Sequence, residues 1–406
     1  MAEAGEVGTG GVRTVLVVTP RSSYRSGAFV EAGHDLGHEL VVASDADTAL
    51  DGTAVRVDLD DAGAAATTIE AAVRGTRPDA VVGTDGPAIV VAASVAERFG
   101  LRGSPADAVR RAVDKRAQRQ AAANAGVAQP DWWVSEPSAP PPIVPSGVPL
   151  VVKAVDRSGG QGVVGIEDVD GLPDALSRVR GIVGSEAPVL VETYLPGREL
   201  ALDGLLVDGE LLVLGVFDKP EVESGPTFHE PFLVRPARVS PGEHDDLVGL
   251  ASAAVRAVGL TEGPVHVEVR ADADGALRFL ELAPRSIGGH CGRMVRPGGR
   301  SLEQVLVEAA LGHPPPPFDP DAGPATGVHM VPIPASGTVA AIDGDGAVRS
   351  LPGITVVDLT VGVGERVQAR PEGDRYAGFV FAEAEDPDDV ETALRGAAAR
   401  ITVRVT

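Results

Sequence analysis

The hydrophobic and polar positions along the chain predict alternating strands and helices in its first hundred residues. Residues 14–20 form a continuous apolar run that is typical of a buried parallel strand, and residues 39–44 form a second run after an Ala- and Gly-rich helical stretch. Residues 79–101 repeat the order of strand, turn and helix. We therefore expect a small, doubly wound α/β sheet. No GxGxxG follows its first strand, so the pattern does not indicate a dinucleotide site.

The middle of the chain mixes helical and extended patterns. Residues 104–127 have helical spacing, with Ser104 as the predicted N-cap and Pro105 at the first helical position. A Pro-rich, aperiodic stretch follows at residues 128–147, and we interpret it as a connector. The next patterns are a strand, glycine loop and returning strand (148–168), strands separated by Pro-Gly and Asp-Gly turns (187–219) and a helix (242–260).

Two alternating runs on either side of Asp274-Gly275 predict a hairpin with a two-residue turn. The pairs that share one face are then His266 with Ala283, Glu268 with Glu281, and Arg270 with Phe279. Because two carboxylates directly opposite each other destabilise a sheet, something must compensate for Glu268 and Glu281. Mg²⁺ is the simplest compensator, since it binds carboxylate oxygens. The alternative is a solvated hairpin whose glutamates point to water.

The last part of the chain predicts a second connector (312–325), then short strands with Gly and Asp turns, and a closing amphipathic helix (386–401). With 406 residues, of which 44% are hydrophobic, the chain is long enough for two or three domains with their own cores. Only 3% of the residues are aromatic, so we expect these cores to consist of small aliphatic side chains.

A formal charge of −23 argues against a nucleic-acid or anionic-membrane partner, because phosphate surfaces require clustered Lys and Arg. A polyanionic ligand would need a local basic pocket. Cys291 is the only cysteine, which excludes an internal disulfide and a cysteine metal cluster. Residues 1–11 have no apolar core, and the chain has no run of about eighteen apolar residues. We therefore expect a cytoplasmic protein with small-molecule partners.

Two lysines stand out in the sequence, and one of them lies beside a glycine loop that can hold a polyphosphate. Lys153 ends an apolar strand just before a glycine loop, where an ammonium and the backbone N–H groups together form a concave anion site. The loop is not a Walker A motif, and the alternative is a hairpin turn that needs glycine for positive φ. Lys115 lies inside the helix predicted over residues 104–127, where a solvated face is the alternative.

Two further segments carry groups suited to a nucleotide or a substrate. Residues 191–199 predict a strand that runs into a Pro-Gly turn, which can present backbone groups to a purine edge and Glu199 to ribose hydroxyls. The alternative is a plain linker. Arg285 follows Glu281 by four residues, just before Gly288 and Gly289. Its planar fork suits phosphate or carboxylate oxygens, and the glycines allow a ligand to approach the backbone closely.

Taken in order, the helix lysine, the strand lysine with its glycine loop, the linker, the acidic hairpin and the arginine resemble the ATP-grasp superfamily. Members of this superfamily hold ATP between two α+β subdomains and join a carboxylate to a nucleophile. Residues 217–237, 327–344 and 375–397 are similar to its L-amino acid (dipeptide) ligase branch. The resemblance implies an α/β and α+β fold with a Rossmann-like N-terminal domain (1–110), an ATP-grasp domain (111–320, its glycine-loop subdomain at about 148–200) and a small C-terminal α+β domain (321–406).

The resemblance also implies a function. We expect an ATP-dependent carboxylate–amine ligase that forms an amide or peptide bond through an acyl phosphate, with ATP and Mg²⁺, or Mn²⁺ in its place. One alternative is a carboxylating or formate-activating ATP-grasp enzyme. An alternative of another class is a non-catalytic nucleotide-sensing module. A homodimer is common among similar proteins, although this sequence does not determine the oligomeric state.

The roles of single residues are carried over from the resemblance. The ATP-binding residues would be Lys115, Lys153, Ser158, Gly159, Gly160, Gly162, Glu192, Thr193, Tyr194, Leu195, Glu199 and Lys219. Glu268 and Glu281 would be metal ligands, and Arg285 would act with Lys153 in catalysis. The substrate residues would be Ser23, His229, Glu230, Arg285, Gly288 and Gly289.

Two positions depart from the family pattern. Many members have an asparagine metal ligand where this chain has Ala283, and dipeptide-forming members often have a histidine where it has Leu233. The number of metal ions and the recognition of the acceptor are therefore open.

Overall fold

The N-terminal sheet is parallel and doubly wound, as its apolar runs predict. The computed structural model describes residues 11–46, 53–220, 227–272 and 274–406. The acidic segment 1–10, part of 217–237 and Ala273 in the predicted hairpin lie outside the described residues. The first elements are β1 (Thr14–Thr19), α1 (Ser26–Asp35), β2 (Glu39–Ser44), β3 (Thr53–Arg56), α2 (Ala62–Ala72), β4 (Ala80–Gly83) and α3 (Pro87–Phe99).

This sheet has the strand order β3-β2-β1-β4, and β1 is buried on both faces. Leu16 and Val18 pack into the core of the N-terminal α/β unit. Val15 and Val17 face the other way and belong to a cluster that includes Ile287 from a later part of the chain. Because both faces are covered, the strand is apolar at every central position.

The helix predicted over residues 104–127 is two helices, α4 (Ala106–Val113) and α5 (Lys115–Asn124). The break lies at Asp114, whose backbone is extended and whose carboxylate accepts a hydrogen bond from Ala117 N–H at 3.0 Å, which caps α5. Ser104 was wrongly predicted as an N-cap, because its hydroxyl instead bonds the backbone of Thr261 and Glu262. Lys115 therefore starts a helix and does not lie in the middle of one.

The next unit is an antiparallel sheet that carries the glycine loop. It contains β5 (Trp132–Ser135), β6 (Leu150–Ala154), β7 (Val163–Ile166), α6 (Leu172–Val183) and β8 (Val189–Thr193), with the strand order β5-β8-β6-β7. Part of the segment predicted to be a connector is thus a strand, since β5 pairs with β8. Its two tryptophans fit the β preference of aromatic residues, which the surrounding prolines obscure in the sequence.

An eight-stranded sheet faces this unit and continues into the C-terminal residues. The elements that follow β8 are β9 (Arg198–Val207), β10 (Glu210–Lys219), β11 (Phe232–Arg235), α7 (Pro241–Val258), β12 (Gly263–Ala271), β13 (Leu277–Ala283) and α8 (Leu302–Ala310). The C-terminal elements are β14 (Ala325–Val331), β15 (Gly337–Asp343), α9 (Asp345–Val348), β16 (Ile354–Leu359), β17 (Arg366–Val367), β18 (Gly378–Ala384), α10 (Pro387–Ala398) and β19 (Thr402–Val405).

The strand order of the large sheet, β13-β12-β9-β10-β11-β14-β18-β16, crosses the expected domain boundary at residue 320. A three-stranded sheet, β17-β15-β19, lies beside its C-terminal end. Hydrogen bonds between β11 and β14 therefore join the two predicted domains, and the division into three domains remains a prediction. In the part of the chain that the structure describes, every helix is too short or too polar to cross a bilayer.

The hairpin of β12 and β13 pairs Glu268 with Glu281, as predicted, although its loop and the register of its strands differ from the prediction. Its loop covers residues 272–276, and the Asp272 N–H donates to Ala276 O at 3.0 Å, so the predicted two-residue turn is wrong. A bulge near Leu280 then shifts the register by one residue. Arg270 consequently pairs with Arg278 and not with Phe279, whose side chain packs in the core. The two differences cancel at the glutamate pair.

The break between α4 and α5 leads to a test of stability. Asp114→Ala should lower the free energy of unfolding by about 1 kcal/mol, because it removes an N-cap. For a unit of this size we expect the midpoint of its thermal unfolding to fall by roughly 2–4 °C. Asp114→Asn is the matched control, since asparagine caps equally well. An equal loss in both variants would show that the cap does not stabilise this break.

Candidate active site

A cavity of about 180 Å³ separates the glycine-loop sheet from the eight-stranded sheet. Most residues with a predicted role line it, although they come from elements far apart in the sequence. They are Lys115, Lys153, Ser158, Gly159, Gly160, Glu192, Thr193, Tyr194, Leu195, Glu199, Lys219, Glu230, Glu268, Glu281, Arg285, Gly288 and Gly289. The structure therefore brings these residues together, while their roles remain predictions.

Three residues with a predicted role do not line this cavity. Gly162 lies at the base of the glycine loop, where its N–H donates to Pro371 O at 2.8 Å and its φ is +67°. Ser23 donates from its hydroxyl to Asp85 in the N-terminal unit. His229 lies between two residues that do line the cavity but is not part of its wall. Because these three residues are not in the cavity wall, the cavity does not support their expected direct contacts with ATP or substrate.

Glu192 is buried between two cations at one wall of the cavity. Its carboxylate lies 2.5 Å from Arg119 Nε and 2.7 Å from Lys153 Nζ. Burial alone would raise the pKa of Glu192, but the two cations outweigh it and lower the pKa to about 2. Sequence analysis missed Arg119. Its position four residues after Lys115 on the same helix is the signal that could have revealed it, since such residues share a face.

The segment predicted to contact a purine is largely held by the protein itself. Thr193 N–H donates to Asp131 O at 3.0 Å, and Tyr194 N–H donates to Pro149 O at 2.9 Å. The Leu195 carbonyl accepts a hydrogen bond from Arg270 at 2.7 Å. The predicted backbone contact with a purine would therefore have to use the remaining groups of this segment, which include the N–H of Leu195.

Lys219 lies at the centre of three carboxylates on the floor of the cavity. Its Nζ is 2.6 Å from Glu199, 3.1 Å from Glu230 and 3.0 Å from Glu268. Burial would lower the pKa of Lys219, but the carboxylates raise it well above its ordinary value. Burial raises the pKa of Glu230 to about 7, so this carboxyl can gain or lose a proton near neutral pH.

The three carboxylates around Lys219 do not form a suitable metal centre. Their nearest oxygens lie within 4.8 Å of one another, a spacing that suits a cation. The ammonium of Lys219 already lies within 3.1 Å of all three, so a metal ion would have to displace it. Glu199 is held further by Arg270, whose Nε is 2.9 Å from its second oxygen. A ribose contact by Glu199 would have to share these oxygens.

Glu268 and Glu281 are better suited to a divalent cation. Lys219 and His266 both hydrogen-bond to Glu268 through its Oε1, and within the described residues Oε2 has no hydrogen bond. Glu281 lies 3.5 Å from Lys115 Nζ, which is beyond an ordinary N–H···O hydrogen bond. The pair therefore keeps carboxylate oxygens available on the cavity side, and oxygen is the ligand that Mg²⁺ prefers.

His266 fixes the position of Glu268, and sequence analysis assigned it no role. Its Nδ1 is 2.7 Å from Asp203 and its Nε2 is 3.3 Å from Glu268. Burial would lower the pKa of His266, but these two carboxylates raise it to about 9. The protonated ring therefore donates to both neighbours at neutral pH. Its place two residues before Glu268, on the same strand face, is the available signal.

The far end of the cavity combines cationic and apolar groups. Arg285 donates to Ser286 O at 3.0 Å, and Gly289 N–H donates to the Tyr24 hydroxyl. Further wall residues that sequence analysis did not assign to the site are Arg157, Phe228, Leu233, Arg270, Ile287, Met330, Arg370 and Tyr376. Met330, Arg370 and Tyr376 come from the C-terminal part of the chain, so only the folded chain reveals that they line this cavity.

Two α+β units that close on a cavity lined by lysines and by a pair of facing glutamates define an ATP-grasp fold. Residues 146–294 match the ATP-grasp domain, and residues 329–406 match the L-amino acid ligase C-terminal domain 2. The chain therefore contains an ATP-grasp domain and a C-terminal domain of the L-amino acid ligase type, as its motifs indicate. The expected fold class is confirmed.

Individual relatives agree with this assignment. The chain is 25% identical to alanine–anticapsin ligase of Bacillus subtilis over 52% of this chain and 49% of that protein. It is 30% identical to carnosine synthase 1 of Gallus gallus over 60% of this chain and 28% of that protein. The crystal structure of an L-amino acid ligase from Bacillus licheniformis matches with a TM-score of 0.82 and 22% identity, covering 97% of this chain and 99% of the other. The chain spans less than two thirds of the length of the curated relatives it matches.

The buried ion pairs of Glu192 lead to a pH-dependent test. Because its pKa is about 2 in the folded protein and ordinarily 4.5, ionised Glu192 stabilises the fold above pH 4.5, and this contribution is lost as the pH falls towards 2. Glu192→Gln should lower stability at pH 7 by about 3–5 kcal/mol, because it leaves buried cations uncompensated. The difference in stability between wild type and Glu192→Gln should be smaller at pH 3, because the stabilisation by ionised Glu192 is then partly lost in the wild type.

Thermal unfolding at pH 7 and pH 3 checks this expectation. Glu186→Gln is the matched control, because Glu186 is exposed. A difference between wild type and Glu192→Gln that stays the same at both pH values would contradict the assignment of an ionised, stabilising Glu192.

Proposed function

We propose that this protein is an ATP-dependent carboxylate–amine ligase. It would join a small carboxylic or amino acid to an amine or a second amino acid, with release of ADP and phosphate. One observation carries the proposal: Lys115 and Lys153 line the same cavity as the paired Glu268 and Glu281. The similarity to alanine–anticapsin ligase and carnosine synthase supports it.

Activation would take place between the glycine loop and the acidic hairpin. Lys115 and Lys153, with the N–H groups of the loop, hold the phosphates, because phosphoryl transfer depends mainly on positioning and charge neutralisation. A substrate carboxylate oxygen forms a bond to the γ-phosphorus while the bond to the ADP oxygen breaks. Glu268 and Glu281 would hold Mg²⁺, which when bound neutralises charge on the phosphate oxygens.

Amide formation would follow at the Arg285 end. The amine nitrogen attacks the carbonyl carbon of the acyl phosphate, and phosphate leaves with the bonding electrons. Arg285 stabilises the oxyanion that forms, since a prearranged cation acts on developing charge without reorganisation. We assign Glu230 as the acceptor of the proton that the amine loses, because burial brings its pKa to about 7.

The apolar wall suggests the class of substrate. Leu233, Ile287 and Met330 are buried, with 4% or less of each residue exposed, and they line the same cavity. Leu233 stands where dipeptide-forming members often have histidine, so a polar contact with the acceptor is replaced by an apolar one. We infer that at least one substrate carries a small apolar side chain.

The ligase proposal predicts that ADP release requires both an acid and an amine. Pairs of amino acids, including apolar ones, can be screened for ADP release, and mass spectrometry then identifies the amide product. Bicarbonate-dependent release without an amine would indicate a carboxylating enzyme instead. Binding of ATP without any release would indicate a nucleotide sensor, a function that Ala283 favours because it removes a family metal ligand.

The paired glutamates predict a metal requirement. Chelation should abolish ADP release, and added Mg²⁺ should restore it. Glu281→Ala should lower kcat by roughly 100-fold, because removing one electrostatic stabiliser of a transition state commonly costs this much. Asp274→Ala, an exposed carboxylate on the same hairpin, is the matched control. Equal rates for Glu281→Ala and the wild type would reject the assignment of the metal site.

A further inference from the structure

The C-terminal segment 370–376 contacts the glycine loop directly. Gly162 N–H donates to Pro371 O at 2.8 Å, and the Gln161 side chain donates to Glu372 O at 2.8 Å. Arg178, in α6 of the glycine-loop unit, lies 2.9 Å from the Glu372 carboxylate. The loop that faces the proposed phosphate position is therefore attached to the C-terminal part of the chain.

Arg370, the first residue of this segment, points its guanidinium into the cavity. It is 8% exposed, and its central carbon lies 4.5 Å from the centre of the Tyr376 ring. A Cβ added to Gly160 would lie 3.0 Å from the same guanidinium carbon, so the cation lies directly against the glycine loop. Its charge also lowers the pKa of Glu230, which lines the same cavity, although burial raises that pKa more.

The hydrogen bonds of Arg370 are incomplete. Its Nη1 donates to Phe228 O over 3.4 Å, a long contact, and the guanidinium also interacts with the Tyr376 hydroxyl. Its Nε is buried without a hydrogen-bond partner among the described residues. Arg270, which also lines this cavity, has a carboxylate oxygen at 2.9 Å, and Arg119, which lies behind the lining residue Glu192, has one at 2.5 Å. In the described part of the chain Arg370 forms no ion pair. A buried cation normally has such a partner, because its desolvation is otherwise uncompensated.

We propose that Arg370 is an anion-binding residue of the active site. It would hold an oxygen of the γ-phosphoryl group or of the substrate carboxylate that receives this group. The planar fork of arginine suits both anions, and both must meet between the glycine loop and Glu230. This proposal rests on the proposed ligase function, and it assigns the C-terminal part of the chain a direct contact with the reacting groups.

The hydrogen bond from Gly162 N–H to Pro371 O couples the position of Arg370 to the position of the glycine loop. Because Arg370 and Pro371 are adjacent, an anion that orders the guanidinium also orders the carbonyl that accepts from Gly162. Anion binding and closure of the glycine loop would then stabilise each other through one short segment.

Calorimetric titrations of wild type, Arg370→Gln and Arg370→Lys test the proposal. The probes are ADP, the non-hydrolysable analogue β,γ-methylene-ATP and, with ADP present, inorganic phosphate. We expect Arg370→Gln to bind ADP within about twofold of wild type and inorganic phosphate at least about 10-fold more weakly, since a hydrogen bond to a charged group contributes about 1.5–3 kcal/mol. Arg370→Lys, which keeps the charge but not the fork, should lie in between.

The analogue and the acid substrate distinguish the two sources of the anion. Weaker binding of the analogue in Arg370→Gln indicates the γ-phosphoryl group. A raised KM for the acid with unchanged analogue binding indicates the substrate carboxylate. Arg375→Gln is the matched control, because this arginine of the same segment is exposed and pairs with Glu365 at 2.9 Å.

Two outcomes separate this proposal from the ligase function. Analogue binding, phosphate binding and KM within about twofold of wild type in Arg370→Gln would overturn the anion-binding role. A wild-type protein that binds nucleotide but releases no ADP would refute the ligase function, while the comparison of phosphate and analogue binding would still decide the role of Arg370. Thermal unfolding of each variant confirms that the comparison is made on folded protein.

Discussion

Compensation of buried charge is the constraint on which the rest of this structure depends. Lys153 and Lys219 are almost fully buried, and each is held by carboxylates from a different strand. In a poorly solvated interior an isolated ammonium would lose its proton or unfold its surroundings. Glu192 and Glu199 therefore determine where the two lysines point, and hence which anions the cavity can accept. Each of these ion pairs joins neighbouring strands of one sheet, so both walls of the site are preorganised.

Distant parts of the chain complete one cavity because strands of a single sheet connect them. The eight-stranded sheet continues from the acidic hairpin into β14, β16 and β18, so the C-terminal residues are fixed relative to Glu268 by hydrogen-bonded strands. Segment 370–376 extends from this sheet to the glycine loop. Loops that cover phosphates are usually the mobile part of such sites. Here the loop has a second anchoring point at Pro371, and the neighbouring Arg370 forms no ion pair within the described residues, although the Glu230 carboxylate is close enough for its pKa to be lowered by this cation.

Much of the fold and many of the candidate site residues could be predicted because they follow local rules. The apolar runs predicted the parallel sheet, and side-chain alternation placed His266, Glu268 and Arg270 on one face. Errors arose where tertiary contacts override local pattern. Asp114 breaks a helix whose spacing is continuous, since its carboxylate caps the second half. The bulge near Leu280 has no sequence signal, and it compensated for a loop longer than predicted. The role of Arg370 could not be predicted, because its contact with Gly160 joins residues more than two hundred positions apart.

The missing metal ligand at Ala283 changes how the proposed cation would be bound. Glu268 has only Oε2 available, because Lys219 and His266 occupy Oε1, and Glu281 lies next to Lys115. Two carboxylates with nearby cations attract a free divalent ion weakly, since each cation already offsets part of their charge. Mg²⁺ keeps several waters and commonly takes its remaining ligands from substrate phosphates. A nucleotide supplies these oxygens and also draws Lys115 towards its phosphates and away from Glu281. Under the proposed function the ion would therefore bind together with the nucleotide, and a site with two glutamates would suffice.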